Sequence, residues 1–106
     1  MGHYLAAIEA DSRFPDAHNN LANLLLARGK VAVAISHYIA ALGADPDHAL
    51  SHNNLGWAYV KIGRADKAAA HFDRAVELRP AWKVPQVGQN HVRDVVRERH
   101  RRALGQ

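Results

Sequence analysis

The chain has 106 residues, of which 48% are hydrophobic and none is cysteine. One domain with its own core is therefore expected, and disulfides and thiolate metal sites are excluded. The net charge is +4; residues 1–82 balance their charges, and the excess comes from residues 83–106, with six basic against two acidic side chains. No apolar run approaches the ~18 residues of a membrane span, and the first ten residues lack the basic start of a secretion signal. We expect a cytoplasmic protein.

Helical patterns follow one another along the chain. The first predicted helix begins at Pro15-Asp16, because proline and an acidic side chain suit a first turn, and it ends at Gly29 in a left-handed cap. The next helices are expected at about 31–42, 49–62 and 65–78, before Gly43, Gly63 and Pro80. A last helix is expected at about 89–104, with Pro85 and Gly88 delaying its start. No segment alternates with a period of two, so no sheet is expected.

Two segments, 15–48 and 49–82, align without a gap and define a repeat of 34 residues. The identical pairs are His18/His52, Asn19/Asn53, Asn20/Asn54, Leu21/Leu55, Gly29/Gly63, Ala34/Ala68, His37/His71, Ala41/Ala75 and Pro46/Pro80. The shared alanines allow two helices to approach to ~8–10 Å. Residues 1–14 match only the outer helix of a repeat, and residues 83–106 form a basic segment outside the pattern.

The second segment carries the signature residues of a known family at their usual offsets: Leu55, Gly56, Tyr59, Ala68, Phe72, Ala75 and Pro80. Residues 1–82 thus resemble the tetratricopeptide-repeat family. The resemblance implies an all-α solenoid of antiparallel helix pairs with a C-terminal capping helix, which binds a protein or peptide partner. No catalytic residues and no cofactor are expected, because the chain lacks a cysteine nucleophile, a phosphate-binding loop and a triad-like serine.

In that family the first helix of each repeat lines a concave groove. The resemblance places these residues in the peptide-binding groove: Asn19, Asn20, Asn23, Asn53, Asn54, Trp57 and Lys61. A side-chain amide both donates and accepts, so it can pair with the backbone of an extended peptide. The segment 16–24 is similar to the repeats of O-linked N-acetylglucosamine transferase, where asparagine grips the substrate backbone. The alternative is that these amides bridge neighbouring helices.

A second groove chemistry in the family is the carboxylate clamp, which holds a C-terminal carboxylate between cations. Asn23 and Asn54 match its two asparagines, but Asn19 replaces the expected lysine. Val84 and Gly88 occupy the last two basic positions, so a carboxylate has no cationic partner here. The clamp is therefore not expected.

Of the eight histidines, five recur at the repeat period, His3, His37 and His71 in one series and His18 and His52 in another, which suggests a metal site. Equivalent positions in stacked repeats lie about a helix diameter apart, too far to share one zinc ion. We expect instead that His18 and His52 fill aromatic slots in the core and that His37 and His71 lie on the outer surface.

The two ends lead to further expectations. At the C-terminus, Arg93, Arg97 and Arg101 form a stripe on a predicted capping helix. Binding of RNA or an acidic membrane through this stripe is the less favoured alternative, since no stacking aromatics accompany it. At the N-terminus, an outer helix without its inner partner would expose Tyr4, Leu5 and Ile8. Either the chain is a fragment of a longer protein or another chain covers this edge, and we predict self-association. The alternative function is thus an oligomeric scaffold.

Overall fold

The computed structural model describes residues 14–105, in which every regular element is helical. The elements are α1 (Phe14–Ala27), α2 (Val31–Ala44), α3 (Ala49–Lys61), α4 (Ala65–Leu78) and α5 (Val84–Leu104). Turns of three residues join α1 to α2 (repeat 1) and α3 to α4 (repeat 2), and the two helices of each repeat pack on each other. The predicted all-α repeat is confirmed for the described residues, whereas the helix expected at 1–14 lies almost wholly outside them.

The two intra-repeat turns have the same geometry. Gly29 and Gly63 have φ angles of 79° and 77°, the left-handed conformation that glycine adopts without strain. In each turn, the N–H after the glycine donates to the carbonyl five residues earlier at 2.9 Å, from Lys30 to Leu25 and from Arg64 to Tyr59. The predicted left-handed cap at Gly29 is confirmed, and the 34-residue period extends to individual hydrogen bonds.

Small side chains bring the helices together around a few large ones. Tyr38, Leu55 and Phe72 are fully buried. Five alanines at repeat positions are also fully buried: Ala22, Ala34, Ala41, Ala68 and Ala75. Because alanine adds little width, the inner and outer helices of each repeat pack directly around the aromatic rings.

The last helix starts earlier than the sequence predicts. α5 begins at Val84, and not near Gln89. Pro85 lies in the first turn, where a backbone N–H has no acceptor within the helix, so proline costs no hydrogen bond there. Gly88 does not delay the helix; it lets the backbone of α5 lie directly on the ring of Phe72. A Cβ atom at Gly88 would lie 2.3 Å from that ring, and one at Gly56 of α3 would lie 2.6 Å from it.

Candidate binding groove

The predicted groove lies along α1, α3 and α5, and its character changes from one helix to the next. Steps of 34 residues define three columns: Asp16, Leu50 and Val84; Asn19, Asn53 and Val87; Asn23, Trp57 and His91. The first member of each column is polar. At the α5 end, by contrast, Val84 is 47% exposed and Val87 is 61% exposed, and Leu50 before them is 39% exposed. Two of the three columns therefore change from polar at α1 to apolar at α5, whereas the third ends at the exposed His91.

Asn19 lies beneath this surface and not on it. Its side chain is fully buried, and its Oδ1 accepts hydrogen bonds from Ser51 Oγ at 3.2 Å and from Asn54 Nδ2 at 3.1 Å. Asn19 thus bridges α1 and α3, the alternative role considered from the sequence. Buried amides need such partners, because an unmade hydrogen bond costs about 1–3 kcal/mol.

The other predicted amides differ in how much they offer a ligand. Asn53 is 4% exposed, and its Nδ2 lies 3.4 Å from Asn54 Oδ1. Asn54 is half-buried, and Asn20 and Asn23 are exposed. Asn23 Oδ1 accepts a hydrogen bond from the hydroxyl of Tyr38. Asn20, Asn23 and part of Asn54 therefore form the polar surface that a peptide could reach.

Trp57 is anchored between the core and α5. Its ring meets Phe72 edge-to-face, with centroids 5.2 Å apart, and lies 5.5 Å from the ring of His91. The side chain is half-buried, whereas Lys61, one turn further along α3, is exposed. Trp57 thus presents a fixed aromatic edge at the middle of the groove.

A polar network joins the two repeats at the α1 end of the groove. His48 Nε2 lies 2.7 Å from Asp16 Oδ1, and His48 Nδ1 lies 2.5 Å from Ser51 Oγ, which also donates to Asn19. All of these contacts are hydrogen bonds at once only when both ring nitrogens of His48 carry hydrogen. No sequence spacing indicated this network, because Asp16 and His48 are 32 residues apart.

The same network brings an aspartate, a histidine and a serine into contact, the residue types of a hydrolytic triad, although the sequence predicted no triad-like serine. A nucleophilic serine must reach its substrate. Ser51 is fully buried and has a second hydrogen bond to the Asn19 amide. The Asp16–His48–Ser51 chain therefore holds two repeats together and offers no accessible nucleophile.

Histidine pairs join the inner and outer helix of each repeat. The Nδ1 atoms of His18 and His37 are 2.9 Å apart, and those of His52 and His71 are 3.0 Å apart. His18 and His52 are buried, as predicted. The expectation that His37 and His71 are merely outer-surface residues is wrong, because both are half-buried against their partners.

The second pair has a defined hydrogen-bond direction. His52 Nε2 lies 2.8 Å from the carbonyl oxygen of Pro46, which only accepts, so this nitrogen carries hydrogen. In neutral His52 the Nδ1 atom then accepts from His71 Nδ1. Burial, followed by the nearby charges of His52 and Lys67, lowers the pKa of His71 to about 4. His71 is therefore a neutral member of this pair near neutral pH.

Two features are absent from the described helices, a cluster of metal-ligand side chains and a membrane-spanning segment. Within residues 14–105, no three His, Cys, Asp or Glu side chains come together as metal ligands could. None of the helices in the same range is long and apolar enough to cross a bilayer.

Comparisons with known proteins show a family and two solved structures that have this architecture. A family model described as tetratricopeptide repeat matches residues 2–38 and 19–81. The second TPR of Spaghetti (RPAP3), solved bound to the HSP90 peptide SRMEEVD, has a TM-score of 0.79 and 22% identity over 88% of this chain and 85% of that chain. The first TPR of Spaghetti (RPAP3), solved with the same peptide, has a TM-score of 0.79 and 22% identity over 83% of this chain and 70% of that one.

The comparison with curated proteins finds no match. The family match, however, extends over most of the chain, from the N-terminal segment to the end of the second repeat. The paired helices, the left-handed glycine turns and the buried alanines described above belong to the residues that it covers. This chain therefore belongs to the tetratricopeptide-repeat family.

Proposed function

We propose that the chain is a peptide-binding module that holds an extended segment of a partner protein along α1, α3 and α5. Proteins of this family are generally non-enzymatic interaction modules. The observation that carries the proposal is a set of exposed apolar side chains on consecutive inner helices: Leu50 and Val84 at equivalent positions of α3 and α5, and Val87 one turn further along α5. Apolar side chains that lie next to one another in solvent are typical of a binding surface.

The bound peptide has two kinds of contact in this proposal. Near α1 and α3, the amides of Asn20, Asn23 and Asn54 pair with its backbone, as in the asparagine ladder of O-linked N-acetylglucosamine transferase that the sequence resembles. Near α5, its apolar side chains lie on Val84 and Val87. The ligand is thus an extended peptide with aliphatic or aromatic residues toward one end.

This ligand differs from the acidic peptide bound by the two similar structures. The peptide SRMEEVD ends in acidic residues and a carboxylate. At the positions where the clamp places its cations, this chain has the buried Asn19, the exposed apolar Val84 and Gly88, which packs on Phe72. A carboxylate there would lose water without gaining a charged partner. We therefore expect no tight binding of SRMEEVD.

Selection from a random peptide library against the immobilised protein tests the proposal. We expect enrichment of Leu, Ile, Val or Phe near one end of the selected peptides. The double variant Asn20→Ala/Asn54→Ala should weaken binding by about 5- to 150-fold, since each of two lost peptide hydrogen bonds is worth about 0.5–1.5 kcal/mol. Its circular dichroism spectrum should be unchanged. Asn54 also donates a hydrogen bond to the buried Asn19, so its loss could affect folding as well as binding. The single variant Asn20→Ala therefore tests binding without this effect on folding.

The matched control is Asn90→Ala, an exposed amide of α5 outside the three groove columns. Equal loss of affinity in Asn90→Ala, or full affinity in the double variant, would remove the groove as the binding site. Tight binding of SRMEEVD would replace the apolar ligand by the clamp chemistry.

Self-association stays the alternative function predicted from the sequence. The residues that motivate it, Tyr4, Leu5 and Ile8, lie outside the described range, so no contact bears on it. Light scattering on a dilution series measures it directly: a mass that stays at one chain at high micromolar concentration contradicts the oligomeric scaffold. Cytoplasmic location likewise stays a prediction.

A further inference from the structure

A second groove lies between α4 and α5, on the opposite side of α5 from the peptide groove. Its volume is about 550 Å³. It is lined by Ala69 and Asp73 of α4 and, on α5, by Gln89, Val92, Arg93, Val96, Arg97 and His100. The α5 residues recur every three or four positions and so share one helix face, whereas Val84, Val87 and His91 occupy another. We call the second groove the α4/α5 groove.

The position of this groove suits a helix. In repeats 1 and 2, an outer helix packs beside the inner helix, as α2 does on α1 and α4 on α3. α5 occupies the place of a third inner helix, packed on α3 and α4. The α4/α5 groove is therefore the site where the outer helix of a third repeat would pack.

The chemistry of the groove excludes an ordinary outer helix as its occupant. In α3, the residues that face α4 include Leu55, Gly56 and Tyr59, all buried. Their counterparts 34 residues later are Gln89, Asn90 and Arg93. An outer helix that presents a large aromatic ring, as Phe72 does, would bury it against polar groups. The occupant must instead combine apolar and charged side chains.

Two arginines give the sign of that charge. Arg64, Arg74, Arg101 and Arg102 each form an ion pair with an acidic side chain, and Arg99 donates to the Gly63 carbonyl. Within residues 14–105, no hydrogen bond or ion pair involves Arg93 or Arg97. They stand four residues apart at the edge of the groove, while Asp73 opposite already accepts from Gln89 Nε2 at 2.9 Å.

The floor between these charges is apolar. Val92 is buried at the base of the groove, Ala69 lies beside it on α4, and Val96 is 51% exposed. An apolar floor next to unpaired guanidinium groups matches a helix with an apolar stripe and carboxylates along one edge. Nucleic acid fits less well, because no Phe, Tyr or Trp lines the groove and the His100 imidazole is the one ring among its lining residues on which a base could stack.

We propose that the α4/α5 groove binds an acidic amphipathic helix of a partner protein. The apolar stripe of that helix lies on Ala69, Val92 and Val96, and its Glu or Asp side chains pair with Arg93 and Arg97. This surface is independent of the peptide groove, so one chain would hold two partner segments on opposite sides of α5. Neither site requires the other.

A designed peptide tests the proposal directly. The probe is a fluorescein-labelled 16-residue helical peptide with Leu at positions i, i+4, i+7 and i+11 and a Glu next to each Leu. The matched control peptide has Gln in place of every Glu. Fluorescence anisotropy should show at least tenfold weaker binding of the Gln peptide. The variant Arg93→Glu/Arg97→Glu should weaken binding of the Glu peptide at least tenfold and leave the circular dichroism spectrum unchanged, since both side chains are exposed.

The control Arg101→Glu/Arg102→Glu changes the net charge of the same helix equally and should alter affinity no more than about twofold. Val96→Asp tests the apolar floor and should also weaken binding. Asn20→Ala/Asn54→Ala should bind the Glu peptide normally, which separates this proposal from the peptide groove. Equal binding of the two peptides, or equal effects of the two charge reversals, would overturn the proposal. Oligouridine binding that depends on Arg93 and Arg97, without peptide binding, would also overturn it, in favour of a phosphate surface.

Discussion

The two repeats share one backbone pattern, but the contact between the core ring of the outer helix and the groove residue of the inner helix has a different chemistry in each. In repeat 1, the core residue Tyr38 donates its hydroxyl hydrogen bond to Asn23 on the groove. In repeat 2, the equivalent core residue is Phe72, and the equivalent groove residue is Trp57, whose ring meets Phe72 edge-to-face at 5.2 Å. A polar pair in one repeat thus corresponds to an aromatic pair in the other.

This difference shows that the type of ring in the core of a repeat limits which side chain can lie beside it on the groove. A buried hydroxyl needs a hydrogen-bond partner, so tyrosine in the core is matched by an amide on the groove. A phenyl ring needs only packing, so the groove position beside it is free to carry tryptophan. The change from polar to apolar along the groove therefore has part of its origin beneath the surface.

The largest difference between the repeats should appear at the glycines around Phe72. Repeat 1 has Ala22 where repeat 2 has Gly56, and a Cβ atom at Gly56 would lie 2.6 Å from the Phe72 ring. We expect Gly56→Ala and Gly88→Ala each to lower the free energy of unfolding by about 1–3 kcal/mol, because the ring must move. Urea denaturation measures this change.

Gly43 provides the matched control. It lies inside α2 with no atom within 4 Å of a Cβ placed there. Gly43→Ala should raise the free energy of unfolding by about 0.5–1 kcal/mol, since alanine is the better helix former. A stability gain in Gly56→Ala similar to that in Gly43→Ala would contradict the tight packing of Phe72.

The histidine pair of repeat 2 should make stability depend on pH. The pKa of His71 is lowered from its ordinary 6.5 to about 4 in the folded chain. Between these values the unfolded chain binds more protons, so stability is complete above pH 6.5 and falls as the pH drops toward 4. Because His71 is only half-buried, we discount the pKa shift for solvent screening and expect a loss of about 1–2 kcal/mol.

Thermal unfolding at pH 7.0, 5.5 and 4.5 measures this loss in the wild type and in His71→Gln. The variant should show a shallower dependence on pH. His100→Gln is the control, since His100 is exposed on α5 and should leave the profile unchanged. Parallel profiles for the wild type and His71→Gln would show that the pair does not govern acid stability.

Much of the fold could be predicted because it depends on spacing along the chain. The 34-residue period placed the four helices of the repeats, and φ angles of 79° and 77° at Gly29 and Gly63 follow from glycine at each turn. The sequence predicted the start of α5 too late, because Pro85 and Gly88 are each compatible with two different structures. Each can delay a helix or suit a buried first turn, and only contact with Phe72 decides between them.

The site was harder to predict, because contacts between repeats have no local signal. The amide of Asn19 points to Ser51 and Asn54, 32 and 35 residues away, and the histidine pairs join residues 19 apart. A pattern of identical asparagines does not show which ones face the groove and which ones face a neighbour. That distinction depends on burial, which follows from the packing of whole helices.

The smallest expected effect tests the coupling between core and groove itself. Tyr38→Phe removes the hydrogen bond to Asn23, which stays hydrated, so the free energy of unfolding should fall by only about 1 kcal/mol. Burial raises the pKa of Tyr38 to about 12, and its absorbance titration should disappear in the variant.

The reciprocal substitution, Phe72→Tyr in repeat 2, should lower the free energy of unfolding. Phe72→Tyr places a hydroxyl beside Trp57, whose indole only donates. Adding Trp57→Asn recreates the polar pair of repeat 1. The double-mutant cycle should give a favourable coupling of about 1 kcal/mol, whatever Trp57→Asn costs alone. A coupling near zero would mean that the two repeats acquired their pairs independently. A measurable one would mean that substitutions on the groove are limited by the ring beneath them, so the peptide specificity of such a repeat changes together with its core.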